Sequence, residues 1–340
     1  MDHERTSTQS HREHPPVALA CAPAPGSRFS HSLRNEKSRW WKPLVGVIVG
    51  VLLFLAVSVF LTVLAVVYET MANHGSFDPQ SMTPLMYAAA LAGLVVLIPI
   101  AILMQRIVHG QAIGQLFSVQ GRLRWRWLGL ATAVILLPFL AYLALFQYLA
   151  PQNGSRADNW LVYLLVGVLL MPFQAAAEEI FFRGYVQRAV GTWFSAERSS
   201  LIVGTLISAL IFMAAHFAQD PWLIGYYFAF GATLSILAHY TGGLEAGIAI
   251  HVVNNVVAGA YGALTQDPSS MFDRSAGTGG PFMLVQIAAI ALFAYALYRL
   301  ARRQRLAVRY QPTLQAAGAA PSTTPPQPHT EAGGVADRRG

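Results

Sequence analysis

Eight apolar runs, most of them near twenty residues and all but the fourth uncharged, fill the middle of this 340-residue chain. About twenty such residues carry an α-helix across the ~30 Å hydrocarbon layer of a bilayer. The runs are Leu44 to Tyr68, Leu85 to Met104, Trp127 to Leu149, Trp160 to about Val190, Leu201 to Ala218, Trp222 to Ala238, Ala246 to Leu264, and Phe282 to Tyr298. Helices satisfy their backbone groups internally, as lipid demands, so the pattern predicts an all-α, polytopic membrane protein with about eight transmembrane helices. Composition excludes an ordinary soluble fold: 54% of residues are hydrophobic and 11% charged, against roughly 25% charged in an average soluble domain. The first run is too long, and starts too far into the chain, for a cleaved signal peptide.

The net charge of +7 suits either nucleic acid or an anionic membrane face, and its placement decides between them. Lys and Arg flank the apolar runs, which speaks for membrane lipid as a partner and against nucleic acid. They also alternate. Arg34, Lys37, Arg39 and Lys42 precede the first span, Arg106, Arg122, Arg124 and Arg126 follow the second, Arg188 and Arg198 the fourth, and Arg299, Arg302, Arg303, Arg305 and Arg309 the last. The intervening loops hold only Arg156 and Arg274. The positive-inside rule then places both termini in the cytoplasm and the protein in the cell membrane. Trp40, Trp41, Trp127, Trp160, Trp193 and Trp222 fall near span ends, where amphipathic rings prefer the interface. The single cysteine, Cys21, excludes an intrachain disulfide framework and a Cys-based metal motif.

Five regions follow. Residues 1–38, polar and aperiodic, read as a flexible tail, with His3, His11, His14 and His31 too irregularly spaced for a metal site. Residues 39–150 hold three transmembrane helices, 151–265 a polar-bearing membrane core, 266–310 the last helix and its basic end, and 311–340 a second tail rich in Pro, Ala, Gly and Thr.

With no soluble domain, chemistry must come from polar side chains inside the bundle. Glu178 and Glu179 are the acids within an apolar run, with Glu245 at a span edge. Residues four apart share a helix face, so Glu179 can pair with Arg183, while Glu178 is rotated about 100° away toward a cavity. A helix-stapling ion pair is the plain structural alternative for Glu179 and Arg183. His216 follows Phe212 by four and Asn255 follows His251 by four; singly, each is a helix-to-helix hydrogen bond as readily as a catalyst. His239 carries a weaker case, and Asn254 is assigned to helix packing. Three helices each bearing such groups argue for convergence, because unsatisfied polar atoms in hydrocarbon are costly. A carboxylate, two imidazoles and an amide around one wet cavity supply a general base, oxyanion donors and a leaving-group acid. The same set permits three-ligand zinc binding by Glu178, His216 and His251 with water in the fourth position. The spacing leaves both open.

Glu178-Glu179-x-x-x-Arg183, then Phe212-x-x-x-His216, then His251-x-x-x-Asn255, resembles the three-motif signature of the CPBP family of CAAX-protease and bacteriocin-processing intramembrane peptidases, also called the Abi family. The resemblance implies eight helices, a cavity opening to the cytosol, and an endopeptidase acting on prenylated CAAX-type or other peptide or membrane-anchored protein substrates. Carried over residue by residue, Glu178 activates water with help from His216, His251 and Asn255 hold an oxyanion or a metal, and Glu179 and Arg183 shape the site. Rival readings are a non-catalytic scaffold or immunity protein of the same fold and a proton-coupled transporter, the latter without the inverted repeat expected of it.

Depth is a constraint. At ~1.5 Å per residue, a fourth helix entering at Trp160 puts Glu178 too deep to meet His216. The two meet if that helix enters later and runs on to about Val190.

Overall fold

The computed structural model describes residues 21–75, 78, 81–149, 155–267 and 273–312. Over these the protein is helical, with two isolated β-bridges and no longer strand. The helices are α1 (Trp41–Ala72), α2 (Pro84–Val95), α3 (Leu97–His109), α4 (Trp125–Leu149), α5 (Trp160–Glu178), α6 (Gln187–Gly191), α7 (Glu197–Ala214), α8 (Pro221–Thr241), α9 (Glu245–Thr265) and α10 (Met283–Arg303). A π-helix, Glu179–Val186, joins α5 to α6. Taking α2 with α3, and α5 with α6, eight helices are long and apolar enough to cross a membrane, and each coincides with an expected span.

Local sequence sets the ends. The Thr83 side chain accepts from the Met86 N–H and Pro84 follows it, a helix start that needs no extra donor. Pro99 has no N–H for the Val95 carbonyl, and α2 gives way to α3 there. Gly110, at φ 66°, closes α3, and Gly242, at φ 73°, closes α8; both take the left-handed conformation that side chains resist. Helix α9 packs against α4, α5, α8 and α10 and forms the centre of the bundle. Helix α1 lies outside, showing most of its Leu, Val and Phe side chains, as a lipid-facing helix does. It approaches the interior where Gly46 and Gly50 leave room for Tyr185 and Phe181, and α2 where Gly93 leaves room for Ser58.

The N-terminal tail boundary at residue 38 needs correcting. Residues 1–20 and 313–340, which include His3, His11 and His14, lie outside the described residues, but 21–38 and 304–312 pack against the bundle. Phe29 and Leu33 are fully buried, and Cys21 and Tyr310 are buried too. Gly26 N–H donates to the Tyr310 carbonyl and Tyr310 N–H to that of Ser27, both at 2.9 Å. Arg28 and Arg309 both reach Glu197 at 3.0 Å. The expectation of a tail through Ser38 weighed local polarity alone, whereas buried partners on other helices fix this segment.

Candidate active site

The fourth crossing carries the acids. Its 32 residues, Trp160–Gly191, span about 48 Å, so the helix starts at Trp160 and still reaches beyond Val190. Late entry is unnecessary because the helix exceeds the bilayer thickness. The π-helix begins at Glu179; such widened turns gather at functional positions. Gly184 brings this stretch close to its neighbours, since a Cβ there would lie 3.0 Å from both the Leu116 carbonyl and Leu244 Cδ1.

His251 of α9 sits between the two acids. Its Nδ1 is 2.8 Å from Glu179 Oε1 and its Nε2 3.4 Å from Glu178 Oε2. A carboxylate accepts, so Nδ1 carries the proton. Arg183 Nη1 approaches the same Glu179 oxygen at 3.0 Å, and both members of that pair are fully buried. The expected pairing of Glu179 with Arg183, and the separate setting of Glu178, are therefore present. Arg183 also lies over the Phe212 ring at 4.3 Å, where the ring face attracts the cation. Gly247 leaves room for the second Glu179 oxygen; a Cβ there would meet it at 3.0 Å.

Glu178 is held from its own helix. Gln174 Nε2 donates to Glu178 Oε1 at 2.7 Å, Asn255 Nδ2 donates to Gln174 Oε1 at 3.0 Å, and Asn254 Nδ2 donates to Asn255 Oδ1 at 3.0 Å. Asn255 thus reaches Glu178 through Gln174, and Asn254, assigned above to packing, belongs to the same chain of hydrogen bonds. Glu178 Oε2 has no hydrogen-bond partner among the described residues. An acceptor so placed, beside an imidazole, is where a water would bind.

His216 stands just past the end of α7. Its Nδ1 is 2.7 Å from the Phe212 carbonyl, which can only accept, so Nε2 keeps its lone pair. The ring stacks on Tyr227 at 3.8 Å, and the Phe212 ring contacts both His216, at 4.6 Å, and His251, at 6.1 Å. His239 is apart from this group, bonded to Ser30 Oγ at 2.7 Å. Of the three residues offered as zinc ligands, Glu178 and His251 face each other at 3.4 Å, and among the described residues no three His, Cys, Asp or Glu form a ready-made metal cluster.

Two buried cations frame the site from the side of the chain ends. Arg188, counted above with the loop charges, is fully buried and donates to Ser32 Oγ at 3.0 Å, Gln105 Oε1 at 2.8 Å and Gln111 Oε1 at 3.0 Å. Arg124 grips Glu245 with two nitrogens, Nε–Oε1 at 2.9 Å and Nη2–Oε2 at 2.5 Å, and so ties the start of α4 to the start of α9.

Burial is uneven around the acids. Every residue from Ala177 to Gly191 is buried on one side, with Phe181, Tyr185, Leu116 and Leu244 at 1% exposure or less. On the other, His216, Asn254 and Asn255 are half-buried and Phe217 is 81% exposed. At that second end the loops flanking α8 and α10 meet. Gln219 N–H donates to the Arg274 carbonyl at 2.8 Å, Gly277 N–H donates to Asp220 Oδ2 at 2.9 Å, and Arg274 lies 6.0 Å over the Tyr227 ring. Burial pushes the Asp220 carboxyl up, but donation from the N–H groups of Gly277, Leu223, Trp222 and Gly279 holds it below its ordinary value.

Fold and site together define an integral, multi-pass helical membrane protein with an acid–imidazole centre inside its bundle. Residues 158–257, which hold all three motifs, match the family model described as Type II CAAX prenyl endopeptidase Rce1-like, and the resemblance to the CPBP peptidases is borne out. The chain is also similar to the uncharacterized protein YyaK of Bacillus subtilis (strain 168), 26% identical over 145 residues, 40% of this chain and 47% of that protein. It thus spans about half the length of this curated relative. No solved structure matches.

Proposed function

We propose that the protein is an intramembrane endopeptidase in which Glu178 activates water for attack on a peptide carbonyl. The observation that carries this is His251 held between two carboxylates, Glu179 on Nδ1 and Glu178 beside Nε2. Glu179 orients the ring and Arg183 balances its charge. With both acids and Arg183 charged, the doubly protonated ring is the form of His251 that leaves the cluster without net charge, and it is the form used in the steps that follow. A water on Glu178 Oε2 gives its proton to that carboxylate as its oxygen attacks. His251 Nε2–H faces the same space and stabilises the oxyanion, and Glu178 returns the proton to the departing amine, leaving acid and amine products. Gln174, backed by Asn255, fixes the Glu178 carboxylate.

The match to the Rce1-like model supports peptidase chemistry, and the apolar bundle supports a membrane-associated peptide substrate. No step here uses a metal, so activity of the purified protein should survive chelators. Glu178→Gln is nearly isosteric but cannot accept a proton. It should leave the melting temperature in detergent within a few degrees of wild type and lower turnover by about 10²–10⁴-fold or more. Wild-type turnover in Glu178→Gln would overturn the assignment. A scaffold or transporter predicts no change in peptide ends on this substitution.

A further inference from the structure

Helices α8 and α10 pack side by side and run from the far end of the bundle to the terminal end. There His239 bonds Ser30 and Arg309 bonds the Gly26 carbonyl. Between them lies a groove that shares no lining residue with the acid–imidazole site. Its α8 wall is Thr233, Ile236, Leu237 and Tyr240, and its α10 wall is Ala291, Ala294, Tyr295 and Tyr298. Each set follows the i, i+3, i+4, i+7 spacing of a single helix face. The two stripes keep step over ~10 Å, and the rings at their last positions, Tyr240 and Tyr298, meet at 5.9 Å.

The lining is graded along its length. Leu237 and Ala294 are buried at the floor and Ile236 is exposed at the edge; the two alanines leave a cleft of about 440 Å³. Toward the terminal end the stripe turns to tyrosine and then to arginine. Arg299 Nη1 donates to Tyr295 Oη at 2.7 Å and Arg302 Nη1 to Tyr298 Oη at 3.4 Å, while Arg28 lies over the Tyr240 ring at 5.4 Å. Arg28 shares Glu197 with Arg309. By contrast, among the described residues no carboxylate pairs with Arg299 or Arg302. Both are exposed, and a guanidinium that gives one N–H to a tyrosine keeps most of its donors.

We infer that this groove binds an anionic phospholipid of the leaflet at the terminal end, one acyl chain lying between α8 and α10 and the phosphate resting on Arg299 and Arg302. Apolar lining, then hydroxyls, then cations without a carboxylate partner is the order in which such a lipid presents its chain, ester region and headgroup. Basic pockets between transmembrane helices recognise anionic headgroups, and the planar guanidinium matches a phosphate's oxygens in pairs. Arg299 and Arg302 stand three residues apart, on one face of α10, so both can reach the same phosphate. Glu178 has no part in this binding, which stands apart from the peptidase reading.

The test titrates the full-length protein in detergent with dioleoylphosphatidylglycerol or dioleoylphosphatidylcholine and counts bound lipid by native mass spectrometry. The anionic lipid should bind about tenfold more tightly than the zwitterionic one. Arg299→Gln combined with Arg302→Gln should remove that preference, since each cation near an anionic headgroup contributes several-fold. Ala291→Leu, at an exposed position, narrows the groove and should weaken both lipids. Phosphatidylglycerol with a photoreactive acyl chain should crosslink the wild-type protein within residues 233–240 and 291–298, a map that needs no variant to fold. Equal binding of the two lipids, an unchanged preference in the double variant, or crosslinks spread evenly along α1 overturns the inference. So does displacement by inorganic phosphate at the lipid's own concentration, which marks a phosphate site without a chain, or full binding in Ala291→Leu, which marks a charged surface without a groove. Glu178→Gln should bind phosphatidylglycerol as the wild type does, so the peptidase reading and this one fail separately.

Discussion

At the residue scale, the site is a set of charges that are tolerable only together. Arg183 and Glu179 are both fully buried, and removing one partner of a buried pair leaves an uncompensated charge that costs about 3–5 kcal/mol. Arg183→Leu should therefore destabilise the protein by about that amount in detergent unfolding, with activity lowered because Glu179, which orients His251, loses its counter-charge; a melting curve within error of wild type would show the pair to be dispensable. Gln174→Leu makes a subtler cut, since it removes one hydrogen bond to Glu178 Oε1 and strands Asn255. Turnover should fall by about tenfold, the equivalent of about 1.4 kcal/mol, while the fold persists. The sequence made Glu178, Glu179, Arg183, His216, His251 and Asn255 visible because charge or imidazole in an apolar run is conspicuous. Gln174 was less so, although its place one helical turn before Glu178 is the signal that finds it. Phe212 was visible only as part of the motif that ends in His216, and Tyr227 not at all, because an aromatic in a membrane helix has no mark that separates lipid-facing from cation-facing.

At the element scale, α9 and the π-helix do the positioning. Gly247 of α9 leaves space for a Glu179 oxygen, and an added Cβ would crowd it at 3.0 Å. Gly247→Ala should lower turnover more than stability, because the carboxylate that orients His251 is the atom displaced; unchanged turnover would place the Glu179 contact outside the reaction. Gly184→Val acts differently. It presses on the Leu116 backbone, and overpacking of this kind costs typically 1–3 kcal/mol, which a thermal melt would read directly. The eight crossings were legible to within a few residues because long charge-free runs are rare outside membranes. The π-helix was not, since its sequence, Glu179 to Val186, has no periodicity that distinguishes a widened turn from an α-helical one.

At the scale of the whole molecule, the two ends of the bundle are fastened by different contacts. At the terminal end, residues 21–38 pack through Phe29, Leu33 and the Arg188 contact to Ser32. That contribution was hidden from local reading, because the segment's order depends on distant partners, among them Gln111 and Arg188, which donate to Ser32 from 79 and 156 residues away. At the far end the Asp220 carboxyl ties the start of α8 to the loop before α10 through the Gly277 N–H. Because its folded value is depressed, its stabilising effect is full above the unfolded value near 3.8 and is lost as pH falls through the folded one. Asp220→Asn should raise hydrogen exchange at residues 273–280 at neutral pH, where the wild-type loop stays protected; equal exchange would remove Asp220 as the fastening point. The central claim concerns the acids themselves, and it is tested most directly by mapping the peptide ends of membrane proteins in cells carrying the wild-type chain or Glu178→Gln. The account predicts a set of new ends with the wild-type chain that vanishes with Glu178→Gln while both proteins accumulate equally, and identical ends in the two samples would contradict it.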